Sequence, residues 1–166
     1  MNLADIPKGA RIFADANILS YALSTIEPLH TLTAPLLERS ARREIELLTS
    51  SFQAAHVIHR AMVVEARHRY QLSSREVVSY LKQHPDAVRS LTRYKQIPGE
   101  FSRARINILD VTYREIHASK QFRDDFGLLT DDSITLAVMR RHSLADLASN
   151  DEDFKRVTGI RLWTPD

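Results

Sequence analysis

Hydrophobic and polar positions along the 166-residue chain fall into short blocks whose period changes from one block to the next. Arg11-Ile12-Phe13-Ala14 is an apolar run that ends at Asp15-Ala16-Asn17, after which Ile18, Leu19, Tyr21, Ala22 and Leu23 recur at helical spacing. The pattern predicts strand, polar corner, helix. Residues 30–44 set Leu32, Leu36 and Leu37 among Arg39, Arg42 and Arg43, an amphipathic helix with a wet face. Ile45 to Thr49 predicts a second strand, and Ser50-Ser51 caps a long buried helix running from Phe52 to about Tyr70. Ser73-Ser74 opens a helix with Val77, Val78, Tyr80 and Leu81 that stops near His84-Pro85. A further helical stretch holds Val88, Leu91 and Tyr94 and is expected to break at Ile97-Pro98-Gly99. Ile106 to Val111 predicts a third strand, and Tyr113 to Phe126 one helix ended by Gly127. Asp131-Asp132 then opens a helix bearing Ile134, Leu136, Ala137, Val138 and Met139. Leu144 to Ser149 and Ile160 to Trp163 predict the last two strands. Strands alternating with helices at this spacing imply an α/β fold around a parallel sheet, in a single domain over residues 1–166.

Composition narrows the chemistry. With no Cys, disulfide frameworks, Cys-containing zinc sites and thiol nucleophiles are excluded together. Four Gly leave little for a glycine-lined phosphate cradle. Twenty-three Lys and Arg against 21 Asp and Glu give a formal net charge of +2, too small to imply a polyanion partner by itself. Residues 60–105 are locally basic, with ten Lys or Arg facing four acidic residues. No apolar run approaches the ~20 residues of a membrane span, and Met1 to Pro7 lack a basic signal-peptide start, so a cytoplasmic location without membrane attachment is expected.

The acidic residues sit in informative places. Asp15 follows the first strand, Asp132 opens a helix, and Asp151 and Asp153 follow the fourth strand. Carboxyl ends of parallel strands share one edge, where ligand crevices form. Each corner alone is an ordinary helix cap worth ~1 kcal/mol. Three acidic corners in one small domain are another matter: converging carboxylates repel unless a cation neutralises them. Hard oxygen donors with few His and no Cys point to Mg²⁺ or Mn²⁺ rather than zinc.

Here the sequence resembles a family. Ile12-Phe13-Ala14-Asp15-Ala16-Asn17-Ile18-Leu19 matches the opening motif of PIN-domain nucleases, Leu128-Leu129-Thr130-Asp131-Asp132-Ser133-Ile134 is similar to their central motif, and Leu147-Ala148-Ser149-Asn150-Asp151-Glu152-Asp153-Phe154 to their third. The likeness covers nearly the whole chain. It implies a three-layer fold, a parallel sheet between helices, with a helical segment inserted at about residues 71–105. It also implies Mg²⁺ or Mn²⁺ held by Asp15, Asp132 and Asp151, with Asp153 as a further catalytic carboxylate. Asn17, Asp131 and Asn150 would stand behind them as orienting residues. The activity implied is endonucleolytic hydrolysis of RNA, and many stand-alone relatives of this size are VapC-type toxins that dimerise and are held by a small antitoxin. With RNA as substrate, the basic stretch offers Arg60, Arg67, Arg93 and Lys95 for the backbone and Tyr70, Tyr80 and Tyr94 for stacking.

One position departs from the pattern. The family carries an acidic residue about six positions past the Ser of a Thr-Ser pair, and counting from Ser50 gives His56. Glu65 lies roughly 13 Å further along the helix, too far to substitute, and is expected to pair with Arg69. His56 fits a retained but altered metal site; as a packed core residue it would mark a weakened or inactive RNA- or protein-binding module. A phosphoacceptor signalling domain is the third reading, with Asp110 near the required strand end, but Lys155 follows a helix-capping run instead of closing a strand.

Overall fold

Alternate residues of a strand point to opposite faces, so a short apolar run is stable only where both faces are covered. The computed structural model describes residues 1–24 and 27–165. Its strands are β1 (Arg11–Ala14), β2 (Glu46–Ser50), β3 (Asn107–Leu109), β4 (Asp146–Ala148) and β5 (Arg161–Trp163). They pair in the order β3-β2-β1-β4-β5, every neighbour parallel. The described helices, in chain order, are α1 (Ala16–Ala22), α2 (Leu29–Ala41), α3 (Ser51–Tyr70), α4 (Val77–Gln83), α5 (Pro85–Ser90), α6 (Arg93–Arg103), α7 (Tyr113–Ala118), α8 (Lys120–Phe126) and α9 (Thr130–Arg141). No described helix is long and apolar enough to cross a membrane.

Alternation along β1 builds two cores. Ile12 and Ala14 join Leu47 in a core with Ile18, Leu19, Leu36, Val57, Ile97 and Phe101, so α1, α2, α3 and α6 cover that face. Phe13 joins Leu48, Leu109 and Leu147 with Ile134, Val138, Met139 and Phe154, placing α9 on the other. The result is the α/β sandwich, a five-stranded parallel sheet flanked by helices. Within residues 71–105, α4 and α5 form a smaller core of Val77, Leu81, Ala87 and Leu91 on Ala66 of α3.

Two expectations are corrected. Ile97-Pro98-Gly99 does not break a helix, since all three residues lie inside α6. Ile97 and Phe101 are buried in the first core, and that packing outweighs the lost amide at Pro98. The break falls instead before α6, where the Glu65 carboxylate accepts from the amides of Thr92 and Arg93. The stretch from Tyr113 to Phe126 is two helices, not one. They meet at buried Ser119, whose hydroxyl donates to the Ile116 carbonyl at 2.6 Å and accepts from Arg123 at 2.9 Å.

Strand order reverses at β1. The chain moves outward from β1 through β2 to β3, then returns to add β4 and β5 on its other side. Such a switch point leaves a crevice beyond the carboxyl ends of its two strands. Here those strands are β1 and β4, and both lead into acidic corners.

Candidate metal centre at the carboxyl edge of the sheet

Asp15 leaves β1 as the cap of α1 and is 8% exposed. Its Oδ1 accepts from the Ala16 amide at 2.7 Å, and its Oδ2 from Asn17 Nδ2 at 2.7 Å and from the Ser149 hydroxyl at 2.8 Å. Ser149, fully buried just past β4, is the hub of this corner. Its Oγ also accepts from Asn17 Nδ2 at 3.2 Å and from the Asp151 amide at 3.1 Å. Asn17 Oδ1 accepts from the Asn150 amide, and Asp151 Oδ1 accepts from the Asp153 amide at 2.8 Å, which starts a short 3₁₀ turn. The first and third motifs are therefore tied into one network. A carboxylate offers about four lone pairs. Three donors already hold Asp15, so its remaining acceptor site is on Oδ1.

Asp132 reaches the same edge from the first turn of α9. Burial raises its pKa, and the charges of Asp151, Asp15, Asp153 and Asp131 add to that, bringing it to about 6. Burial likewise raises Asp15, against the lowering hydrogen bonds from Ser149 and Ala16, while Asp151 adds to the rise. Asp15, Asp132 and Asp151 make no ion pair with Lys or Arg among the described residues. Asp153 does, with Arg156 at 3.1 Å. Like-charged oxygen donors with no Lys or Arg partner among the described residues suit Mg²⁺ or Mn²⁺ in charge and in donor type. Among the described residues no three His, Cys, Asp or Glu side chains stand close enough together to grip a metal ion as they are, so the match is one of charge and donor type, not of coordination geometry.

His56 stands at the rim. Its side chain is 44% exposed, with Nδ1 4.0 Å from Asp131 Oδ2 and its ring 4.5 Å from that of Phe52. It is not a packed core histidine. Glu65 pairs with Arg69 at 2.8 Å, as expected, and takes no part in this edge.

The basic candidates are dispersed. Arg60, one turn along α3 from His56, lies over the Tyr21 ring at 5.2 Å. Arg67 is exposed near the end of α3. Arg93 is engaged internally, donating to Glu100 at 2.7 Å and to the Leu23 carbonyl. Lys95 donates to the Arg89 carbonyl at 3.0 Å. Tyr70 and Tyr80 pack ring to ring at 5.1 Å within the small core that α4 and α5 form on α3, with Tyr94 against the same core. Sequence reasoning missed Ser149 and Gln53. Gln53, 3% exposed, accepts from the Ala16 amide at 3.1 Å and donates to Thr135 at 2.8 Å. The signal that was there to read is the Ser-x-x-Gln spelling of residues 50–53.

Comparison with known proteins adds to this geometry. A model of the PIN domain matches residues 12–160. No curated protein matches the sequence. Among solved structures, the fold is similar to a chain of a toxin–antitoxin complex from Klebsiella pneumoniae, with 18% identity, a TM-score of 0.57, and coverage of 93% of this chain and 98% of that one. VapBC2 from Rickettsia felis, bound to a DNA fragment from its promoter, gives 14% identity and a TM-score of 0.55 over 93% and 98%. VapC20 of Mycobacterium tuberculosis, a toxin cleaving the sarcin–ricin loop, gives 14% and 0.53 over 90% and 96%. At such identities these likenesses speak for fold alone.

Proposed function

The chain belongs to the PIN-domain family, and from that premise we propose that it is a metal-dependent endoribonuclease, the toxin of a toxin–antitoxin pair. One observation carries the reading: Asp15, Asp132 and Asp151 couple electrostatically at the switch point with no Lys or Arg among the described residues to compensate them. Asp15, Asp132 and Asp151 would hold Mg²⁺ or Mn²⁺, which when bound polarises a phosphoryl oxygen and acidifies the attacking water.

The chain's own part is positioning. Asn17 and Ser149 lock Asp15 in one rotamer and leave an acceptor site on Oδ1. Asp151 is held as the cap of its 3₁₀ turn, with Asp153 beside it at the rim. His56, exposed beside Asp131, would meet a substrate phosphate at the rim, with the Arg60 guanidinium one turn further along α3. RNA as substrate and a small antitoxin as partner are supported by the neighbours: two come from toxin–antitoxin complexes and one cleaves the sarcin–ricin loop.

The test is incubation of the purified chain with RNA and Mn²⁺ beside an Asp15→Asn variant. Loss of a second-sphere partner already costs about 10–100-fold, so loss of a ligand is expected to slow cleavage by at least about 100-fold. Wild-type protein that binds RNA or a protein partner but leaves RNA intact would support the binding-module reading instead.

A further inference from the structure

Ser50-Ser51-Phe52-Gln53 is spelled as a capping box, in which the side chain of the third helical residue returns to the amide of the cap. Half of the box forms, since Ser50 Oγ accepts from the Gln53 amide at 3.1 Å. The Gln53 side chain turns away, its Oε1 to the Ala16 amide at 3.1 Å and its Nε2 to Thr135 Oγ1 at 2.8 Å. The same spelling at Thr112-Tyr113-Arg114-Glu115 has the ordinary outcome. There the buried Glu115 carboxylate accepts from the Thr112 amide at 2.8 Å and from the Thr112 hydroxyl at 2.6 Å.

One partner of Gln53 touches the candidate metal centre and the other lies one helical turn from it. The Ala16 amide is the donor that also holds Asp15 Oδ1. Thr135 lies three residues after Asp132 on α9, hence on the same helix face. Asp132 itself makes no side-chain hydrogen bond among the described residues, so nothing described fixes it to the Asp15–Ser149–Asp151 network directly. The two carboxylates repel, and repulsion drives the start of α9 away from the end of β1. A buried amide that joins the two opposes that drift.

We infer that Gln53 is a positioning residue that sets the spacing between Asp15 and Asp132 and thereby the affinity of the centre for its divalent cation. The inference rests on the proposed metal centre. Three variants test it: Gln53→Met, close in volume without either bond; Thr135→Val, isosteric without the acceptor; and Thr135→Ser, which keeps the hydroxyl. Mn²⁺ affinity is read from the electron paramagnetic resonance of the free ion, with thermal unfolding in EDTA alongside.

Gln53→Met and Thr135→Val are expected to weaken Mn²⁺ binding about tenfold or more, with Thr135→Ser near wild type. A Gln53 that merely supported the fold would lower the EDTA melting temperature and leave Mn²⁺ affinity alone. Affinities within roughly twofold of wild type in both Gln53→Met and Thr135→Val overturn the inference, because outer-sphere partners that matter cost more. Should Gln53→Met fail to fold, Thr135→Val decides alone. Asp15→Asn separates the two failures. Loss of Mn²⁺ binding there, with Gln53→Met and Thr135→Val both unchanged, overturns only the role of Gln53. Undiminished binding in Asp15→Asn, or none in wild type, overturns the metal centre and the inference with it.

Discussion

Asp146 and Asp151 stand at opposite ends of β4, the first opening the strand and the second just past its close. At the amino edge, Asp146 accepts from Arg161 Nε at 2.6 Å and from buried Trp163 Nε1 at 2.8 Å. Burial pushes its carboxyl up, but these hydrogen bonds and the Arg161 charge overcome that and hold it below the ordinary range. In the cleft there, about 680 Å³, Arg161 is matched by Asp146 and Arg11 by Glu46 outside it. At the carboxyl edge Asp15, Asp132 and Asp151 have no Lys or Arg partner among the described residues, and Asp15 and Asp132 are raised. One sheet thus has an edge whose acids stabilise the fold and an edge whose acids burden it. Function is to be sought at the second, where Asp15 and Asp132 are held buried or half-buried with raised pKa values and no Lys or Arg partner among the described residues.

Substitutions at the two edges are expected to act with opposite signs. Asp146→Ala strands the buried Trp163 N–H and should cost about 2 kcal/mol, read from urea unfolding. The Arg161 side chain is 57% exposed, so Arg161→Ala should cost no more than about 1 kcal/mol. Asp132→Asn relieves repulsion and should stabilise the protein in EDTA by about 1 kcal/mol, the gain being limited by solvent screening of a half-exposed group. Destabilisation by Asp132→Asn in EDTA would erase the contrast between the edges.

The smallest effect is in pH. Asp146 is depressed when folded, so its contribution is full above its unfolded value of 3.8 and is lost as pH falls through the lower folded value. Asp132 is the reverse. With a folded pKa of about 6 against 3.8, it binds its proton more tightly in the folded state, so metal-free protein gains stability as pH falls from about 7 toward 4. The two contributions thus run in opposite directions as pH falls below neutral. Asp132→Asn should flatten the neutral side of the metal-free stability curve, as followed by chemical unfolding at a series of pH values.

Much of this was legible in the chain, and the physics says why. The strands announce themselves as short apolar runs ending in polar corners, because the central strands β1, β2 and β4 are covered on both faces and tolerate little else. Asp15, Asp132 and Asp151 are visible because parallel strands gather their carboxyl ends on one edge. Pro98 misled because local breaking power is weighed against burial, and Ile97 and Phe101 settle that contest only in three dimensions. Ser119 gives no sign of ending a helix until Arg123 and Ile116 are seen around its hydroxyl. Gln53 reads as a cap, and only its partners Ala16 and Thr135, 37 and 82 residues away, reveal another task. Arg93 reads as a surface cation and proves to be tied to Glu100 and the Leu23 carbonyl.

The most direct test of the carboxyl edge is crystallographic. Crystals grown with Mn²⁺ and measured near the manganese absorption edge are predicted to show an anomalous peak bounded by oxygens of Asp15, Asp132 and Asp151, absent from Asp15→Asn crystals. A peak confined to other residues, or those three carboxylates turned apart around no shared ion, would refute the shared cation site.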